Sequence, residues 1–278
     1  MFRYTKLTLL REVGLWALAL IFLAPFYFLV TTALKPDSEL YTTSPLAPPK
    51  NPDFSNFVDV LTATGNSNVM MGLVNSAIIT AGSILGLIAL GSITGYVISR
   101  STRRWSKGAY YLFLIAIILP GQLGAVPLYM GARAMGLTGS AWGLIILYTG
   151  MLVPLSIFLY ANFFRGLGTD YEEAATIDGA SKSQIFSKVV FPMMAPATGT
   201  VTIFAGLIVW NDFFTSLIFL GGSANQTLPV AMYYYIGSLV SQWNSIFAIV
   251  IVSMIPILAL FLFAQKRFIQ GFSGGLKG

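Results

Sequence analysis

The chain reads as an all-α membrane protein, and three observations carry that reading. Hydrophobic residues fill 56% of its 278 positions and charged residues only 9%, whereas soluble domains run near 25% charged. The apolar residues gather into six runs, each close to the roughly 20 residues that a membrane-crossing helix needs. The basic residues then fall almost entirely on one side of those runs. The chain has no Cys and no His. Disulfides, thiolate chemistry, Zn–His sites and imidazole acid–base catalysis are therefore excluded. A net charge of +6 in such a protein reflects its orientation in the bilayer and gives no reason to expect nucleic acid.

Taken in order, residues 1–34 hold a basic start (Arg3, Lys6, Arg11) and a first run, Val13–Leu34. This mimics a signal peptide, but its length and the lack of a small-x-small cleavage site suit a retained span. Residues 35–71 form an outer segment. Pro45, Pro48, Pro49 and Pro52 disfavour a regular helix there, and Asp37, Glu39, Asp53 and Asp59 keep it wet. An extended excursion is expected, either a spacer or a contact surface. Residues 72–264, which include the polar segment 165–196, form the transmembrane core. Its first run, Asn75–Ser99, carries Gly82, Gly86, Gly91 and Gly95, two GxxxG spacings that let another helix come close without saying which.

The third run, Gly108–Met130, is interrupted at Pro120, Gly121, Gly124 and Pro127. A kink around Gln122 either faces a pathway or is purely structural. Ser140–Phe164 is the fourth run. The fifth, Ala197–Leu220, carries Trp210, Asn211 and Asp212, and Asp212 is the only acid inside any run. A carboxylate in a membrane is costly. It serves function, or a partner helix or outer water satisfies it. Gly221–Ser245 is uncharged and holds Tyr233, Tyr234 and Tyr235, which suit an interfacial aromatic belt. Ile246–Ala264 is the sixth run, and a glycine-containing tail, residues 265–278, is expected to be flexible.

With the N-terminus inside, Arg3, Lys6, Arg11, Arg100, Arg103, Arg104, Lys107, Arg165, Lys182, Lys188, Lys266, Arg267 and Lys277 lie inside. Lys35, Lys50 and Arg133 lie outside. That is 13 against 3 of the 16 basic residues, and the excess sets both ends, and the segment 165–196, in the cytoplasm.

That segment contains a polar island, Asp170 to Pro196. Thr169 with Glu172, and Ser181 with Gln184, have capping-box spacing. Gly179 stands where a helix end wants a left-handed residue, so two helices joined by a glycine turn are predicted. Tyr171, Ala174, Ala175 and Asp178 share a face of little bulk on the first. Glu173-Ala174-Ala175, Asp178-Gly179-Ala180, Phe186, Pro192 and Pro196 resemble the EAA loop of ABC-importer permeases. The whole chain resembles the MalG-like, carbohydrate-type branch of that family.

The resemblance implies a MetI-like, type I importer permease fold with six transmembrane helices and cytoplasmic termini, in the bacterial cytoplasmic membrane. It implies that Glu172, Glu173, Ala174, Ala175, Asp178, Gly179, Ala180, Phe186 and Pro192 form a coupling helix seated in an ATPase. Glu173 would supply an ion pair, and Ala174, Ala175 and Gly179 the close fit. Trp210, Asn211 and Asp212 would border the translocation path, with Gln122 as a further candidate. Gly274, Gly275 and Lys277 would reach the ATPase interface. The implied partners are a MalF-like sister permease, a homodimeric ATPase that binds ATP and Mg, a periplasmic or lipid-anchored solute-binding protein and a di- or oligosaccharide. A polyol phosphate is the alternative solute.

No cofactor belongs to this chain, and it is not expected to be an enzyme. A P-loop needs Gly directly before its Lys and another five residues earlier. Before Lys182 those positions are Ser181 and Thr176. A proton-coupled secondary carrier usually holds several buried ionisable groups and internal repeats, and here one acid lies in the runs.

Overall fold

The computed structural model describes residues 5–119, 121–236 and 242–275, and these form helices and connecting loops with no strand among them. In chain order they are α1 (Lys6–Ala33), α2 (Ser55–Thr62), α3 (Val69–Arg100), α4 (Arg104–Ile118), α5 (Ala125–Ala134) and α6 (Ala141–Gly166). Then come α7 (Asp170–Ile177), α8 (Lys182–Met193), α9 (Ala195–Asn211), α10 (Phe214–Leu220), α11 (Leu228–Tyr233) and α12 (Trp243–Gly275).

Among the described residues four helices are long and apolar enough to cross a membrane: α1, α3, α6 and the Trp243–Phe263 part of α12. Counting α8 and α9 as one bent span makes five. The other two expected runs are broken. The third stops at Ile118, takes a 3-10 turn over Gly121–Gly124 and resumes as α5. The fifth breaks at Asp212–Phe213, between α9 and α10. Pro120 and the side chain of Gln122 lie outside the described residues. The expected flexible tail is helical through Gly275. Ala264, Gln265, Lys266 and Arg267 are good helix formers, and extending a nucleated helix is easy.

The chain divides into two compact units, Met1–Met70 with Ala231–Met254, and Met71–Val230 with Ile255–Gly278. In the first, α1 is apolar all round, and only 6% of its best apolar window is buried. The outer segment is not wholly extended. A helical turn forms at Asp37–Leu40, and α2 follows once the last proline, Pro52, is passed. Asp53 Oδ1 accepts the Ser55 N–H at 2.8 Å at its start. Asn56, buried on α2, donates to the carbonyls of Ala33 (2.9 Å) and Lys35 (3.1 Å). Asn244, at the start of α12, donates to Asn56 Oδ1 (3.0 Å) and Asp37 Oδ1 (2.8 Å). Lys35 is only 2% exposed. Its ammonium donates to Thr43 Oγ1 at 3.0 Å and the Ser44 carbonyl at 2.9 Å, as a buried charge requires.

In the second unit α3 and α6 lie side by side. A Cβ on Gly82 would stand 2.6 Å from Ile145, one on Gly86 2.7 Å from Thr149, and one on Gly95 2.8 Å from Tyr160. One on Gly91 would overlap Ser156. Both sets of partners rise in number together, so the two helices run parallel. The glycines thus have a partner, and Ser156 Oγ donates across the seam to the Leu87 carbonyl at 2.8 Å. Lipid gives no hydrophobic drive to pair helices, so close packing and such hydrogen bonds do the work. Below the seam one core joins Leu87, Tyr160 and Phe164 to Ile185, Val190 and Val201 of α8 and α9.

Candidate functional site

The polar island folds as the two helices expected. At the end of α7 Gly179 has φ +79°. Its N–H bonds to the Thr176 carbonyl at 3.0 Å, and the Ala180 N–H reaches back to Ala175 at 3.0 Å. This pair is a Schellman motif, and it needs a residue tolerant of the left-handed region. The second helix starts on a complete capping box. Ser181 N–H donates to Gln184 Oε1 (2.8 Å), and Gln184 N–H to Ser181 Oγ (3.4 Å).

Within α8, residues Ile185–Val190 adopt a wide π-helical turn, closed by the Phe191 N–H on the Phe186 carbonyl. Pro192 gives the physical reason. In a regular α turn its ring would press on the carbonyl four residues back, that of Lys188, and the wider turn carries the chain past it. Such turns recur at functional sites. A 70° bend at Met194 then leads into α9.

The first capping box does not form. Thr169 makes no side-chain cap to the helix, and its hydroxyl instead donates to Glu173 Oε1 at 2.8 Å. Glu172 is drawn inward. Arg100, the last residue of α3, holds Glu172 Oε1 at 2.7 Å through Nε. The Tyr96 hydroxyl donates to Glu172 Oε2 at 2.9 Å. The remaining nitrogens of Arg100 donate to the carbonyls of Phe164 (2.9 Å) and Leu167 (3.0 Å) at the end of α6. A guanidinium suits this task, because five fixed donors meet a carboxylate and the orphan carbonyls of a helix C-terminus together. The Tyr96 ring packs on Phe164 (centroids 5.4 Å) and Phe186 (5.2 Å).

The expected small-residue face therefore divides. Ala175, Ala180 and Phe186 turn inward onto the core. Tyr171, Glu173, Ala174, Ile177, Asp178, Gly179 and Pro192 are exposed. Ile177 is 86% exposed, and a Cβ on Gly179 would meet nothing within 4 Å. An aliphatic side chain held this far out on a rigid, polar element is a surface suited to another protein.

The two broken runs meet at a cavity of about 840 Å³, lined by Gly121, Gly124, Gly150, Met151, Asp212 and Thr215 among others. Asp212 stands at the break. Its Oδ2 accepts the Tyr148 hydroxyl at 2.6 Å, and its Oδ1 faces the Thr215 N–H at 3.5 Å. Tyr148 also lies 3.1 Å from Ser216 Oγ. A break is tolerable in lipid only where the freed backbone is buried in protein or lines a cavity. Asn211 is exposed beside a smaller cavity of about 260 Å³ and donates to the Leu207 carbonyl at 2.8 Å. Trp210 is buried in the helix packing and lines neither cavity. Gly274 and Gly275 lie in the last turn of α12, and Lys277 is outside the described residues.

Sequence reasoning missed the Arg100–Glu172–Tyr96 cluster and the Tyr148 partner of Asp212. A basic residue closing one run, and a Glu pair opening the next polar island, were the available signals.

Residues 87–274 match the family described as "Binding-protein-dependent transport system inner membrane component". The melibiose/raffinose/stachyose import permease protein MelC of Bacillus subtilis (strain 168) is 34% identical over 254 residues, 90% of each chain. The multiple sugar-binding transport system permease protein MsmG of Streptococcus mutans is 35% identical over 205 residues, 72% of this chain and 74% of its own. Among solved structures, a chain of a bacterial ABC transporter involved in the import of the acidic polysaccharide alginate superposes with a TM-score of 0.82. It is 22% identical and covers 96% of this chain and 100% of its own.

Proposed function

Because the chain belongs to the family of binding-protein-dependent transport system inner membrane components, we propose that it is the permease subunit of an ATP-driven importer that moves a di- or oligosaccharide by alternating access. The sugars in the names of its relatives support that solute class. The chain sits in a bacterial inner membrane as a multi-pass protein.

The observation that carries the reading is the rigid, exposed end of α7. Gly179 and the capping box at Ser181 fix a sharp corner, and Ile177 stands out from it. In this reading the corner, with Glu173, Ala174, Asp178 and Gly179, docks on a homodimeric ATPase that binds ATP and Mg. A sister permease and a solute-binding protein complete the assembly, and the tail with Gly274, Gly275 and Lys277 reaches the ATPase.

Six crossings with both ends inside are part of the proposal. Parallel α3 and α6 support it, since the broken run between them must then return across the bilayer. The cavity beside Asp212 and Asn211 is the part of the solute path that this chain contributes. Trp210 serves packing. Nucleotide-driven closure of the ATPase moves α7 and α8, and the linked spans switch the cavity between outward and inward access.

Expression with the neighbouring transport subunits and reconstitution into proteoliposomes tests this. ATPase and sister permease should co-purify with the chain, and uptake should need ATP and the binding protein. Uphill flux by the chain alone, or labelling of residues 170–196 from outside, overturns the reading.

A further inference from the structure

We infer that Glu172 does not meet the ATPase and is instead a positioning residue. With Arg100 and Tyr96 it clasps α7 to the cytoplasm-side ends of α3 and α6, so that a push on α7 is delivered to both. The inference rests on the docking role of α7 proposed above.

Three observations carry it. Both oxygens of the Glu172 carboxylate are already engaged, by Arg100 at 2.7 Å and Tyr96 at 2.9 Å. The pair is largely withdrawn from solvent, with side-chain exposures of 17% and 15%, so it is screened less than a surface ion pair. Arg100 spends its other nitrogens on the carbonyls of Phe164 and Leu167. One guanidinium thus ties the end of α3, the end of α6 and the first turn of α7. Among the described residues the neighbouring Glu173 carboxylate makes only the local contact to Thr169, and it is exposed. The two adjacent carboxylates therefore divide the labour, one toward the chain's own spans and one toward the partner.

The test uses the full reconstituted complex and compares Glu172→Gln with Glu173→Gln. For E172Q, ATPase subunits should co-purify at the wild-type ratio, while solute moved per ATP falls about tenfold, the factor expected from losing one charge-assisted hydrogen bond. E173Q should instead lower ATPase retention. Arg100→Gln combined with E172Q should cost less than the sum of the two single changes, because they share the Arg100–Glu172 contact.

Tyr96→Phe keeps the ring packing, so it decides the matter if E172Q fails to accumulate. A drop of about tenfold in solute per ATP supports the clasp, since this too is a bond to a charged carboxylate. Loss of ATPase retention in E172Q, or unchanged coupling in E172Q or Y96F, overturns it. A wild-type complex that retains no ATPase would instead defeat the docking role itself.

Discussion

Substitution at Gly179 separates two reasons for a glycine there. With φ at +79° and open space around a Cβ, the chain itself exacts only a backbone penalty. That is about 1 kcal/mol for Ala, roughly 2 kcal/mol for a β-branched residue such as Val, and a few tenths for Asn, which enters the left-handed region readily. The penalty falls on the Schellman turn, where a Cβ on Gly179 meets no neighbour within 4 Å, so Gly179→Val should insert and fold. The turn's population should fall about fivefold for Ala and about thirtyfold for Val. Uptake and binding-protein-stimulated ATPase activity, measured together in proteoliposomes, should show uptake ordered Gly, Asn, Ala, Val while ATP hydrolysis persists. If close approach to the ATPase is the reason, the larger Asn will be worse than Ala. That reversed order, or normal uptake by Gly179→Val, refutes the backbone argument.

Two further outcomes follow from the packing. Gly95→Leu places a branched side chain against Tyr160 and the Ala161 backbone and should cost about 1–3 kcal/mol or more, read as a lowered thermal midpoint in detergent. Gly14→Leu, with nothing within 4 Å, is the neutral control. Tyr148→Phe strips Asp212 of its 2.6 Å donor and should cost about 1.5–3 kcal/mol; Asp212→Asn should be milder, since its amide oxygen still accepts from Tyr148. Thermal midpoints of the two variants check the order.

What could be read from the chain was whatever depends on neighbours in sequence. Gly179 ends a helix because of its own freedom, and Ser181 and Gln184 cap one across a single turn. Gly82, Gly86, Gly91 and Gly95 of α3 announced a close approach for the same reason, since their spacing is a property of one helix. Their partner was not legible, because Ile145, Thr149, Ser156 and Tyr160 are brought to them by the fold. The first capping box failed on the same ground. Glu172 had a distant competitor, Arg100, whose charge-assisted bond outweighs a local neutral one. Prolines and glycines advertised the break after Ile118. The break at Asp212 carried no such mark, since its Tyr148 partner lies 64 residues away. Four prolines masked α2 because their effect ends at Pro52, before the helix starts.

The seam between α3 and α6 admits a single register. Ser156 occupies the notch at Gly91 and Thr149 the one at Gly86. Sliding one helix by a turn in either direction would bring Leu90 against Thr149 or Leu87 against Ser156. These two helices are therefore keyed like a bolt in its slot, and flexing must be found elsewhere. The interruptions at the 3-10 turn Gly121–Gly124 and at 212–213, where the α-helical ladder of backbone bonds is broken, are the places where this chain can bend.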